Sequence, residues 1–270
     1  MIPSTRRVGA WLIADVADPA RVELQLAAAR DAQVQVVESL SVLSDGAPVE
    51  VREVVAVGNG KVQVCYPPPG RLEIAYTAVV DGAAPAPTVD EVDEIVYRRP
   101  SRYAESDRLA PMARAEFAGI TDAGELLAAV SSWVGARLQY VPGSSGPTDG
   151  AVDTMLQRQG VCRDYAHLVI ALLRALDIPA RLAAVYAPGL NPMDFHAVAE
   201  AAVEGTWRTV DATLLAPRSS LVRIATGRDA ADTAFLTSYG GRVTLLELQI
   251  SATVDGQLPA DDITELVSIN

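Results

Sequence analysis

The chain has 270 residues, half of them hydrophobic, and a formal net charge of −12 at pH 7, so it can bury the core of one large or two ordinary domains. The negative charge would repel a phosphate backbone and argues against nucleic acid as a partner. No apolar run approaches the roughly 20 residues that cross a bilayer, and we expect neither a membrane span nor a cleaved signal peptide.

The first 80 residues are rich in short apolar segments that end in turn signals. Val, Leu and Ile dominate these segments, and residues 71–77 alternate large apolar with polar or small side chains, which is the period of a half-buried strand. Strands at spacings of about 8 to 12 residues are typical of an antiparallel sandwich. We therefore predict a β-sandwich domain over residues 1–80, with strands at 34–43, 49–57, 62–66 and 71–77.

A linker and then a helical region follow. Residues 82–88 are rich in Pro, Gly and Ala, a composition that supports neither strand nor helix, and we place a linker over residues 81–96. Apolar residues then recur at steps of three and four, which predicts a helix over 122–139 capped by Thr121 or Asp122. Further helices are predicted over 150–158 and 161–176.

Beyond Pro179, which ends the last of these helices, the pattern becomes strand-like at 181–186, 196–203, 207–210 and 242–251. Helices followed by strands indicate an α+β domain. The predicted organisation is a sandwich, a linker and an α+β domain over residues 97–270.

Two cysteines, Cys65 and Cys162, lie in segments of different character. They do not indicate a disulfide framework, and free thiols suit a cytoplasmic protein. Cys162 opens a predicted helix, where the helix dipole and unpaired backbone N–H groups favour the thiolate. On position alone, a nucleophile and an inert buried thiol are equally good interpretations.

A base for this thiol has to come from two histidines, His167 and His196. His167 follows Cys162 by five helical residues and so points about 140° away from it; a packed helix histidine is its better interpretation. His196 begins a predicted strand, from which it can project toward a helix N-terminus. We therefore assign the base to His196.

A histidine base needs a group that holds its tautomer. Asp211 lies at the end of a predicted strand that would pair with the strand of His196, which brings the two side by side. Asp164 and Asp194 are competing carboxylates, and Asp194 shares a strand face with His196. Asp211 is preferred.

Four motifs in this order closely resemble the bacterial transglutaminase-like family: residues 160–167 (GVCRDYAH), 178–181 (IPAR), 194–197 (DFHA) and 207–213 (WRTVDAT). The resemblance covers roughly residues 97–239 and implies a papain-like fold with Cys162, His196 and Asp211 as catalytic residues. Members commonly have a tryptophan two residues after the histidine, where Val198 stands here. For the second oxyanion donor the candidates are side chains near Gln139 and Tyr140, with Gln139 named first.

The resemblance implies acyl transfer from a peptide, protein or small-amide substrate through a thioester on the cysteine. Water as the second substrate would make the chain a protease or amidase, which we favour by family analogy, whereas an amine would make it a transamidase. A non-catalytic peptide-binding or scaffold module is the alternative from another class. The sequence shows no metal-ligand spacing and no phosphate-binding glycine loop, so we expect no cofactor.

Overall fold

The computed structural model describes residues 5–30 and 33–269 and has an α+β fold. Its strands form a sandwich of two sheets beside a third, four-stranded sheet that carries helices. The strands are β1 Thr5–Val16, β2 Arg21–Leu24, β3 Gln35–Ser44, β4 Ala47–Pro48, β5 Val51–Val55, β6 Lys61–Cys65, β7 Gly70–Asp81, β8 Gln139–Tyr140, β9 Gln159–Gly160, β10 Ala180–Tyr186, β11 Phe195–Val203, β12 Thr206–Val210, β13 Val222–Gly227, β14 Leu236–Tyr239 and β15 Val243–Val254. The helices are α1 Glu91–Val96, α2 Ser106–Glu116, α3 Ala123–Arg137, α4 Ala151–Gln157 and α5 Cys162–Ala175.

The sandwich has sheets in the orders β15-β1-β7-β3-β4 and β14-β2-β6-β5, and neighbouring strands are antiparallel. Strands β14 and β15 come from residues 236–254, which the sequence analysis places in the second domain. They lie in the sandwich because β15 pairs with β1 along nearly its whole length and β14 pairs with β2. The sandwich is therefore built from both ends of the chain.

The third sheet, β12-β11-β10-β13, packs against α5. Every residue of α5 from Asp164 to Ala175 is buried, as expected of a helix that is apolar on nearly all sides and is enclosed by other elements. The surrounding elements are α2, α3, α4, β10 and β11. This central helix beside an antiparallel sheet is the arrangement of a papain-like core.

Most predicted elements of the core are confirmed to within a few residues. Asp122 caps α3 by accepting a hydrogen bond from the backbone N–H of Glu125. Helices α1 and α2 are additions that the sequence analysis does not predict. Among the described residues, no helix is long and apolar enough to cross a membrane.

Candidate active site

Cys162 occupies the first position of α5, where it is partly exposed. Asp164, two residues further along α5, is fully buried. Its carboxylate accepts hydrogen bonds from the backbone N–H of Val161 at 2.8 Å and from the Ser145 hydroxyl at 2.9 Å. A Cβ at Gly160 would lie 2.6 Å from the Cβ of Asp164, so only glycine allows this approach. Asp164, one of the competing carboxylates, therefore fixes the start of α5.

His196 and Asp211 are brought together by the β11–β12 hairpin. The two strands pair from Ala199–Val210 to Val203–Thr206, and Glu204 and Gly205 make the turn with positive φ. This register places Nε2 of His196 2.8 Å from Oδ2 of Asp211, with both side chains buried. The hairpin and the pairing predicted from the sequence are thus present.

The carboxylate of Asp211 is itself held in place. Its Oδ1 accepts hydrogen bonds from the backbone N–H of Thr213 at 2.9 Å and from the Thr213 hydroxyl at 2.7 Å. Because a carboxylate only accepts, Nε2 of His196 carries the proton and Nδ1 is left as the basic nitrogen. Within the described residues Nδ1 makes no hydrogen bond.

The charges of this pair reinforce each other. Burial of His196 disfavours its charged form, but the carboxylate of Asp211 outweighs this effect and, together with the nearby thiol of Cys162, raises the pKa of His196. In the same way burial opposes ionisation of Asp211, yet His196 and Thr213 hold the pKa of that carboxyl below its usual range. The aspartate therefore stabilises the imidazolium that forms when Nδ1 of His196 accepts a proton.

Asp194, the remaining competing carboxylate, lies near His196 but is not its partner. Its Oδ1 accepts a hydrogen bond from the backbone N–H of Phe195, and the group is exposed. The structure thus places Asp211, rather than Asp164 or Asp194, against the histidine ring.

Tyr140 lies beside Cys162. The short strand β8 pairs in parallel with β9, so that Tyr140 stands opposite Gly160, and its ring centroid lies 6.0 Å from that of Tyr165. Burial raises the pKa of Tyr140, whose hydroxyl interacts with both the thiol and the backbone N–H of Cys162. The phenol therefore stays protonated and can donate a hydrogen bond.

Gln139, the residue predicted as second oxyanion donor, is exposed, and its side chain makes no hydrogen bond to any described residue. Adjacent strand residues point to opposite sides, and it is Tyr140 that meets Cys162. The sequence analysis named both positions, but a two-residue strand has too little pattern to show which side faces the cysteine.

His167 lies on the far side of α5, as helix geometry predicts. It is fully buried, its ring stacks on Tyr103 at 5.3 Å, and its Nε2 accepts a hydrogen bond from the backbone N–H of Ala230 at 3.1 Å. Burial lowers its pKa to about 3, although Asp229 opposes this effect. His167 is thus a neutral residue that packs in the core.

Val198 stands where members of the family commonly have a tryptophan, and its side chain is buried.

Comparisons with known proteins agree with this architecture. Residues 111–212, which include Cys162, His196 and Asp211, match the model of the transglutaminase-like superfamily core. A solved structure described as a proposed cysteine protease from Cytophaga hutchinsonii is 33% identical and superposes with a TM-score of 0.88, covering 98% of this chain and 96% of that one.

A second relative is an uncharacterized protein of Mycobacterium leprae, which is 26% identical over 178 residues. The match covers 61% of this chain and 62% of the relative, so the chain spans about three fifths of the length of this curated protein. Because residues 111–212 match the superfamily model and the Cytophaga structure matches nearly end to end at 33% identity, the chain belongs to the transglutaminase-like superfamily, a family of cysteine-type enzymes.

Proposed function

We propose that the chain is a cysteine-dependent hydrolase of peptide or amide bonds, with Cys162 as nucleophile, His196 as base and Asp211 as the residue that orients the base. The observation that carries this proposal is the buried 2.8 Å hydrogen bond between Nε2 of His196 and Asp211. It leaves Nδ1 available to a thiol at the start of a helix, which is the arrangement of an activated nucleophile. The proposed cysteine protease activity of the Cytophaga protein supports the same reaction class.

In the first half of the reaction, the Cys162 thiol transfers its proton to Nδ1 of His196, and the sulfur attacks the carbonyl carbon of the substrate. The raised pKa of His196 favours this transfer. The carbonyl oxygen becomes an oxyanion, for which the backbone N–H of Cys162 and the hydroxyl of Tyr140 are the proposed donors. Collapse of the intermediate breaks the C–N bond, and His196 protonates the departing amine.

The second half resolves the thioester. Neutral His196 accepts a proton from water, the resulting hydroxide attacks the thioester carbonyl, and the C–S bond breaks to release a carboxylic acid. His196 returns the proton to the sulfur. Asp211 stays ionised throughout and stabilises the imidazolium in both halves.

Trapping the acyl-enzyme tests the proposal. The protein is incubated with peptide, glutamine-containing and small-amide donors, quenched in acid, and analysed by intact-mass and peptide mass spectrometry. We expect an acyl adduct on Cys162 that is absent from Cys162→Ala, and release of free acid. Turnover that survives in Cys162→Ala would disprove the nucleophile assignment.

Adding an amine such as cadaverine to the same incubation separates the two reaction types. If water is the natural acceptor, the acid remains the main product at millimolar amine. Complete conversion to the amide would instead identify the chain as a transamidase with the same three catalytic residues.

A further inference from the structure

A cleft of about 470 Å³ lies where the sandwich, the segment 84–93 and the four-stranded sheet meet. Its walls include Val80 from the sandwich, Pro87 from the connecting segment and Val222 from the sheet. The proposed catalytic residues do not line it. Its volume lies within the usual range for sites that bind small molecules, and such sites often form between domains.

One wall of the cleft carries a buried ionic cluster with excess positive charge. Glu200 is fully buried and accepts hydrogen bonds from Nε of Arg181 at 2.9 Å and from two nitrogens of Arg223 at 2.6 and 2.7 Å. Burial opposes the charge on Glu200, but the two guanidinium groups outweigh burial and lower its pKa. Two guanidinium groups share one carboxylate, so the cluster keeps a net charge of +1.

Arg181 has hydrogen-bond donors that this cluster does not use. Its side chain is 5% exposed, it lines the cleft, and its guanidinium stacks over the ring of Trp207 at 4.0 Å. Only Nε is hydrogen-bonded to another described residue. Its two terminal nitrogens are not among the buried polar atoms that lack a partner, so they reach solvent, and their paired N–H donors fit a carboxylate.

A carboxylate of this protein lies at the edge of the same indole. Asp93 lines the cleft, and its Oδ2 accepts a hydrogen bond from Nε1 of Trp207 at 3.4 Å. Within the described residues Asp93 and Arg181 form no ion pair, and each contacts a different part of Trp207: Arg181 the ring face and Asp93 the Nε1 edge. The cleft therefore offers a ligand a charge of each sign. Its other charged lining residues already have partners: Arg30 pairs with Glu38, Asp90 accepts a hydrogen bond from the backbone N–H of Asp93, and Arg223 pairs with Glu200. Most of the remaining lining residues are apolar.

We propose that this cleft binds a free α-amino acid with an apolar side chain, with the ligand carboxylate on Arg181 and the ligand ammonium on Asp93. A simple anion would satisfy Arg181 but would also meet the negative charge of Asp93. A simple amine would satisfy Asp93 but would also meet the positive charge of Arg181. The α-amino acid places both charges on adjacent groups and leaves its side chain for the apolar walls.

The first test uses the full chain with the substitution Cys162→Ala. An amino acid or analogue that reaches the proposed active site is then not consumed by a reaction there. Each of the twenty L-amino acids is screened by ligand-observed NMR, and the best binder is titrated by calorimetry. Its analogues without the amino group and without the carboxyl group are titrated at the same ionic strength. We expect an apolar amino acid to bind and each analogue to bind at least about tenfold more weakly.

The proposal is overturned if no amino acid binds, or if the analogue that lacks the amino group binds as tightly as the amino acid. Binding of the carboxylic acid alone would identify a simple anion site. These outcomes are independent of the reaction at Cys162, because no catalysis is measured.

Variants locate the site. Arg181→Gln removes the proposed carboxylate partner, but it also leaves Glu200 with one partner and can prevent folding. Asp93→Asn therefore serves as the second variant, since asparagine keeps an acceptor while it removes the negative charge. We expect at least about tenfold weaker binding in each folded variant and unchanged binding in Arg71→Gln, an exposed arginine of the sandwich. Wild-type affinity in Asp93→Asn would overturn the assignment.

Discussion

His167 gives the protein a specific sensitivity to acid. The ring is fully buried, and burial lowers the pKa of His167 to about 3, whereas a histidine in the unfolded chain has a pKa of about 6.5. As the pH falls below about 6.5, the unfolded chain takes up a proton that the folded protein cannot accommodate. The contribution of neutral, buried His167 to the free energy of unfolding is therefore complete above pH 6.5 and is lost as the pH falls toward 3.

The size of the loss follows from the linkage of one proton. Each pH unit in this window lowers the free energy of unfolding by up to about 1.4 kcal/mol, which gives about 2 kcal/mol between pH 7.5 and pH 5. Most carboxylates titrate below this range. His196, whose pKa is raised, acts in the opposite direction, because its folded-state proton adds stability as the pH falls through about 6.5; this contribution is the same in the wild type and in a His167 variant and cancels when the two are compared.

Urea unfolding at pH 7.5, 6.5, 5.5 and 5.0, followed by circular dichroism, measures this loss in the wild type and in His167→Gln. Glutamine does not titrate and can still accept the hydrogen bond from the backbone N–H of Ala230. We expect the variant to be less stable at pH 7.5 but to lose about 2 kcal/mol less than the wild type on going to pH 5. Parallel curves for the two proteins would show that His167 protonates freely when folded and would refute the burial argument.

Four further predictions concern the site. Iodoacetamide at pH 7 should label Cys162 and spare Cys65, because Cys65 is fully buried and burial raises its pKa to about 11; equal rates by peptide mass spectrometry would contradict this. Asp211→Asn should slow turnover by roughly 10²- to 10⁴-fold, and wild-type kcat would remove Asp211 from the mechanism. Tyr140→Phe should lower kcat by roughly 10²- to 10³-fold while Cys162 still reacts with iodoacetamide, and an unchanged kcat would exclude the hydroxyl as oxyanion donor. Gly160→Ala should cost about 1–3 kcal/mol in urea unfolding through overpacking at the start of α5, and a stability equal to the wild type would show that the helix start can shift.

The sequence predicts the core elements well because their signals are local. The apolar period of α3 and the run of α5 each extend over several turns, and Pro179 marks where α5 has to end. Helix α2 is missed because Pro111 lies inside it and argues against a helix. Its burial against α5 is a tertiary effect that no local pattern records.

The assignment of strands to sheets is less accessible from the sequence. Strand β15 has the composition of any strand, and its partner β1 lies more than 200 residues earlier in the chain. Alternation of side chains predicts that a segment is a strand but not which strand it joins. For this reason the predicted linker over residues 81–96 separates the two ends of the chain that the sandwich brings together.

The three proposed catalytic residues differ in exposure in a way that fits their proposed roles. His196 and Asp211 are buried, so bulk water does not weaken the hydrogen bond between them, whereas Cys162 is partly exposed at the start of α5 and can meet a substrate. Each also belongs to a regular element or its end, held by the buried helix α5 or by the β11–β12 hairpin. Under the proposed mechanism, substrate selection therefore depends on the residues around Cys162, such as Tyr140 and Asp194, rather than on movement of the base.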